Sequence, residues 1–239
     1  MNCNPEQPQW CACGQATACM FSSIASSGIT THYQSGTEII QKFMPNTGVH
    51  VVCAGAVAMS EVIAPQASLV LDVVAGGGML GIIECGLDLR RYHFSARALT
   101  DSVVTFFPLN EARRLCMDSV GEMKALAAVS RSFRQLERRY VLLGSAEASD
   151  RLIATLLWLS GMDKSALDQA TTIPFELTST TLSSLIGARP ETVTRLMNQL
   201  RAEHLIGFSD GRISITDLKG LKARTSLDLD RILINPMMS

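Results

Sequence analysis

The sequence predicts an α+β chain with an antiparallel β-roll or sandwich first, a long helix next and a winged helix-turn-helix last. Three observations carry this. Between Thr30 and Phe107, short β-branched and apolar runs are broken at intervals by glycine, the pattern of an antiparallel sheet protein. After Pro108 the apolar period changes to steps of three and four, which is helical. From Phe175 two short amphipathic stretches flank Gly187, and a strand, a turn and a second strand follow.

Composition narrows the class. Of 239 residues, 47% are apolar and 18% charged, enough apolar material for packed cores and too little charge for wholesale disorder. The length suits two domains. Net charge is −1, so binding to nucleic acid has to rest on local charge placement. The first twenty residues lack the basic-then-apolar order of a signal peptide, which predicts a cytoplasmic protein. The apolar runs Val51 to Met59 and Ala67 to Ala75 are too short for a membrane span. Seven cysteines in a reducing compartment point to metal binding, redox sensing or burial rather than a disulfide framework.

Residues 1–25 show no helical or strand period, carry Pro5 and Pro8, and hold Cys3, Cys11, Cys13 and Cys19. Residues 26–108 form the sheet region; "AGGGMLG" within it reads as a turn and not as a phosphate loop, because no helix opens after it. No helix-length 3.6 period interrupts the strands. Residues 109–144 form the long helix. Leu126, Val129, Phe133, Leu136, Tyr140 and Leu143 have the spacing of a coiled-coil seam, which predicts a dimer helix; a helix packed on its own domain is the alternative. Gly144 and Ser145 mark a hinge, and "EASDRLIATLLWLSG" supplies another helix. A polar gap leads to the last module, so that residues 145–225 form one domain and 226–239 a tail.

In that module Thr178 or Ser179 can cap a helix burying Leu182, Leu185 and Ile186. Gly187 and Ala188 make the turn, and Pro190 opens the second helix. Val193, Leu196 and Leu200 continue the inner face, leaving Glu191, Thr194, Arg195 and Asn198 outside. Polar side chains early in such a helix are where base edges are reached. A carboxylate favoured by the helix dipole is the alternative account of Glu191. Ser209, Asp210 and Gly211 turn a hairpin, and Arg212 to Thr216 return as its second strand. Arg189, Arg212 and Lys219 or Lys222 are candidate phosphate contacts.

The stretch "RPETVTRLMNQLRAEHLI", with its flanks from Phe175 to Ala223, resembles the DNA-binding domain of the Crp/Fnr superfamily of transcription regulators. The runs "HYQSGTEIIQKF", "VVCAGAVAMSEV", "VLDVVAGGGMLGII" and "SARALTDSVVTFFPLNEARRL" are similar to that family's cyclic-nucleotide-binding-type β-roll, in the family's order. The resemblance covers roughly residues 20–225. It implies a homodimer, not an enzyme, whose partners are operator DNA and RNA polymerase. It carries base reading onto Glu191 and Arg195, implying a TGA-type half-site, with Thr194 where the oxygen-sensing branch has serine. Pro190 stands where one branch has a base-contacting arginine.

For the signal, the resemblance argues against cyclic AMP. Ile82 occupies the position of the ribose-binding glutamate, and Tyr92 and His93 lie near that of the phosphate-binding Arg-Ser pair; Arg90 and Arg91 could take a phosphate only after realignment. The oxygen-sensing branch holds a 4Fe-4S cluster on three N-terminal cysteines and one in the β-roll. Cys13 and Cys19 match its C-x5-C spacing, Cys11 is off by one, and Thr105 stands at the β-roll ligand position. The implied ligands are Cys3, Cys11, Cys13 and Cys19, with Cys85, read as a loop thiol, or Cys116 as the alternative fourth. Structural zinc, a thiol switch, a small-molecule effector and a tail with accidental thiols stay open, and Cys53 reads as core packing. His32, His50 and His93 read as ordinary polar residues rather than haem ligands.

Overall fold

The computed structural model describes residues 27–64, 67–116, 119–160 and 172–228. Strands β1 (Ile29–Tyr33), β2 (Glu38–Ile40), β3 (Gly48–Ala54), β4 (Ala56–Ala64), β5 (Ala67–Ala75) and β6 (Met79–Leu80) come first. Helix α1 (Ile82–Gly86) and strands β7 (Ser95–Ala98) and β8 (Ser102–Pro108) follow. They build two four-stranded antiparallel sheets, in the orders β1-β8-β3-β6 and β2-β7-β4-β5. This is the expected β-roll.

Strand β3 is buried on both faces, which is why "VHVVCA" reads as a nearly continuous apolar run rather than an alternating one. Val49, Val51 and Cys53 pack with Ile82 and Cys85 of α1, Phe107, and Ala112 of α2 (Leu109–Cys116). Val52 points the other way, into a second cluster with Ile40, Val57, Leu80, Tyr92, Phe94 and Ala96. Tyr92 is anchored there by donating its hydroxyl proton to Gly48 O at 2.7 Å. Burial raises the pKa of that phenol, so it stays a donor.

One expectation needs correction in this region. Cys85 lies on the short helix α1, buried, not in a loop; Ile82 and Cys85 turn inward because a single helical turn places positions three apart on one face. Over the expected 109–144 stretch the described residues are helical as α2 and as α3 (Ser119–Ser145). Helix α3 ends at Ser145, one residue from the expected end at 144.

The chain divides into two compact units between Ser132 and Phe133, inside α3. The second unit holds the end of α3, α4 (Ala148–Ser160), β9 (Thr172–Glu176), α5 (Ser179–Ile186), α6 (Pro190–Ala202), β10 (Ile206–Ser209), β11 (Arg212–Ile215) and α7 (Leu218–Ala223). Its core gathers Leu152, Ile153, Leu156 and Leu159 of α4, Phe175, Leu182, Ile186, Val193, Ile213 and Leu221. Fully burying side chains of this size stabilises by roughly 1.5 to 3 kcal/mol each before entropy is counted. The sequence reading missed β9. It is the edge of a three-stranded sheet ordered β10-β11-β9, and an edge tolerates Pro174, which has no N–H to give a ladder.

Candidate nucleic-acid interface

Helices α5 and α6 are set by local chemistry. Thr178 is the N-cap of α5, its hydroxyl accepting from Thr181 N at 3.0 Å; of the two candidate caps, Thr178 has the extended backbone a cap requires. Gly187 closes α5 at φ 61°, ψ 45°, a left-handed conformation that glycine enters without strain. Pro190 is the first residue of α6, where its fixed φ fits and no N–H is needed. Val193, Leu196 and Leu200 are buried as expected, and Met197 joins them.

The opposite face of α6 is open. Pro190, Glu191, Thr194, Arg195 and Asn198 line one shallow concavity on the surface, with Glu191, Thr194, Arg195 and Asn198 all exposed. The Thr194 hydroxyl is already committed: it donates to Pro190 O at 3.0 Å and lies 3.3 Å from Ser179 Oγ. Its methyl group is left to contact a ligand. Glu191 sits in the first turn, where the helix dipole favours a carboxylate. Arg189, the residue before the helix, is exposed and extended.

The wing follows. Asp210 and Gly211 both have positive φ, 51° and 75°, the signature of a two-residue type I′ hairpin between β10 and β11. Arg212 is exposed beside this turn and pairs in register with Glu176 of β9. Phe208 is half-exposed, with the Arg201 guanidinium 5.6 Å from its ring centroid. Asp217 caps α7 by accepting from Gly220 N at 2.8 Å, and Lys219 and Lys222 lie on that helix, both exposed. Glu203 accepts from Gln199 and Arg224, which hold its carboxyl below the usual range and tie the end of α6 to α7.

On α3, all six expected seam residues are exposed, Phe133 at 65% and Tyr140 at 81%, whereas Leu142 on the other side is 6% exposed. Among the described residues the stripe stays open to solvent, except that Leu143 reaches the Gly187 turn.

The sensor candidates separate by burial. Thr105 is 1% exposed, its hydroxyl 2.9 Å from Thr30 Oγ1 and 3.3 Å from Cys53 Sγ. A Cβ on Gly28 would fall 2.6 Å from its methyl, so the chain entering β1 lies directly over it. Cys53 is core packing, as expected, and Cys85 is enclosed in the same apolar cluster. Cys3, Cys11, Cys13 and Cys19 lie outside the described residues, as does the Cys116 side chain. Among the described residues, no three His, Cys, Asp or Glu side chains gather as a metal site. Ile82 and Tyr92 are buried, while Arg91 and His93 are exposed. Arg91 donates to Phe43 O at 2.7 Å. His50 packs against Phe106 with ring centroids 4.9 Å apart and planes inclined at 49°, and burial lowers its pKa to about 4.

The comparisons with known proteins agree with this geometry. Residues 30–119 match the family model of the cyclic nucleotide-binding domain, and residues 150–224 that of the Crp-like helix-turn-helix domain. The chain is 28% identical over 195 residues to the transcriptional regulator SdrP of Thermus thermophilus, covering 81% of this chain and 92% of that protein. A crystal structure of a CRP/FNR-family transcriptional regulator, also from Thermus thermophilus, superposes with a TM-score of 0.67 at 26% identity, over 82% of this chain and 97% of the other. The c-di-GMP responsive global regulator CLP of Xanthomonas campestris shares the fold, with a TM-score of 0.68 at 17% identity, over 82% and 98%. No described helix is long and apolar enough to cross a membrane. With a cyclic-nucleotide-type β-roll and a Crp-like winged helix in one chain, and regulators matched along most of its length, the protein is a DNA-binding transcriptional regulator of the Crp/Fnr family.

Proposed function

We propose that the chain works as a cytoplasmic homodimer that reads a two-fold operator with α6 and takes its signal through the N-terminal cysteines. The observation carrying the DNA side is the two-faced α6, with Val193, Leu196, Met197 and Leu200 buried and Glu191, Thr194, Arg195 and Asn198 exposed around one concavity. Arg195 donates two bonds to guanine O6 and N7, Glu191 accepts from cytosine N4, and the Thr194 methyl contacts a thymine methyl. Asn198 extends the reading face, and Arg189 and Arg212 contact phosphates and set the register. The exposed stripe from Leu126 to Leu143 supports a two-fold seam, which spaces two α6 helices about 34 Å apart, one turn of DNA. RNA polymerase is the second macromolecular partner of such a regulator.

Arg195→Ala tests the assignment. It should cost roughly 1 to 3 kcal/mol, about 5- to 150-fold in affinity, and relax preference at one base pair while leaving thermal stability unchanged. Unchanged operator affinity and specificity would refute it.

The described residues do not complete the family's cluster ligand set: at the β-roll position Thr105 offers a hydroxyl engaged with its neighbours, and Cys85 is closed into the core. A 4Fe-4S cluster on this chain therefore rests on Cys11, Cys13 and Cys19, with Cys3 or Cys116 as the fourth ligand. Thiolates are the ligands such clusters take. Protein purified without oxygen should contain iron and acid-labile sulfide and lose both on Cys13→Ala. Zinc without sulfide would mean a structural site, and neither metal would leave a thiol switch.

A small-molecule effector is the second reading, favoured by the β-roll match over residues 30–119. By the family resemblance cyclic AMP does not suit this roll: Ile82, which is buried, stands where the ribose-binding glutamate would be, and Tyr92 and His93 lie near the position of the phosphate-binding pair. An effector-bound β-roll should show a ligand-dependent rise in Tm with all N-terminal cysteines replaced by serine.

A further inference from the structure

An α-helix leaves its last four carbonyls without partners of its own, and in α5 every one can be accounted for. Ser183 O accepts from the N–H groups of Gly187 and Ala188, the latter at 3.1 Å. Ser184 O and Leu185 O both accept from one terminal nitrogen of Arg139, at 3.2 Å each. Ile186 O accepts from Arg151 Nε at 2.7 Å. Arg139 is on α3 and Arg151 on α4, and Arg151 also donates to Ala146 O at 2.6 Å, where the chain leaves α3. The Leu143 side chain of α3 closes the same place from the apolar side, 2.5 Å from where a Gly187 Cβ would be. Two guanidinium groups thus hold the negative end of α5 against the last two turns of α3. Helix C-termini favour cations for the same reason.

We infer that Arg139 and Arg151 are positioning residues that fix the recognition helix to the dimer helix, so that the separation of two α6 helices follows the packing of α3. This rests on the dimeric operator-reading function proposed above. The turn Gly187–Arg189 is short, so α6 moves with α5, and α5 is tied to α3 and α4 through three carbonyls. A lysine in place of Arg139 keeps the charge but loses the planar fork that presents donors in fixed directions.

The test uses the full chain and duplexes selected from a randomised pool by the wild-type protein. Three probes are compared: the selected two-half-site duplex, the same duplex with one base pair added at its centre, and a single half-site. Arg139→Ala should lower affinity for the selected duplex at least tenfold, change single half-site affinity less than threefold, and remove most of the penalty for the added base pair. Arg151→Gln should do the same, and Arg139→Lys should fall between. Equal losses on the full and single half-sites would overturn the inference, since the arginines would then serve only the folding of the DNA-binding unit. An unchanged spacer penalty would overturn it as well. A pool from which wild type enriches no duplex would refute operator binding itself, a failure visible before any variant is made.

Discussion

Gly187→Ala tests the turn of the DNA-binding motif, and its cost can be worked out in two parts. The first is backbone strain: at φ 61° an alanine in the left-handed region costs about 1 kcal/mol. The second is contact. The new Cβ would lie 2.5 Å from Leu143 Cδ2, and carbon atoms settle at about 3.5 to 4.0 Å, so the leucine has to retreat by roughly 1 Å. Crowding of this kind costs about 1 to 3 kcal/mol, with the low end expected because Leu143 is half-exposed. The sum, about 2 kcal/mol, should lower the melting temperature of the DNA-binding unit by roughly 10 °C. Urea unfolding at fixed protein concentration, with Leu143→Ala and the double variant completing a cycle, separates the parts. The double variant should recover the contact part and keep the strain; Gly187→Asn, which tolerates left-handed φ, should show the reverse. Strict additivity of Gly187→Ala and Leu143→Ala would refute the reasoning, because contacting residues must couple.

Other outcomes follow from the same structure. Thr178→Ala removes the α5 cap and should cost about 1 kcal/mol in urea unfolding, whereas Ser179→Ala, one residue on, should cost far less. Phe133→Glu places a carboxylate in the exposed stripe and should turn a dimer into a monomer by light scattering; a species of unchanged mass would refute the seam. His50 binds fewer protons folded than unfolded, since its pKa falls from 6.5 to about 4 on burial. Its contribution is therefore complete above about pH 6.5 and is lost as pH falls toward 4. His50→Phe should flatten stability against pH in that window relative to wild type, and parallel curves would show that other groups set the slope.

The fold was legible in the sequence wherever one element carries its own signal. Thr178, Gly187, Pro190 and the Asp210-Gly211 turn are local choices of backbone conformation, and each is found where the sequence predicts. The outward set Glu191, Thr194, Arg195 and Asn198 follows from helical period alone. Strand β9 was not legible, because a five-residue edge strand containing proline becomes a strand only when β11 lies beside it. Helix α1 and the burial of Cys85 were hidden for a related reason: one turn of helix has too little period to see, and its apolar side is defined by β3 and α2 packing on it.

By itself the sequence determined the order of modules, the turns and caps, and which side chains of α6 face outward, since these depend on residues within one or two turns of each other. Only the tertiary structure decided what holds those pieces in place. Arg139 and Arg151 find their partners only when the fold brings them to carbonyls 45 and 35 residues away in the chain. Thr105 is a departure from a pattern until β1 and β3 enclose its hydroxyl between Thr30 and Cys53. Helix termini and buried hydroxyls need partners, and the chain meets that need with whatever folding places nearby rather than with its neighbours in sequence.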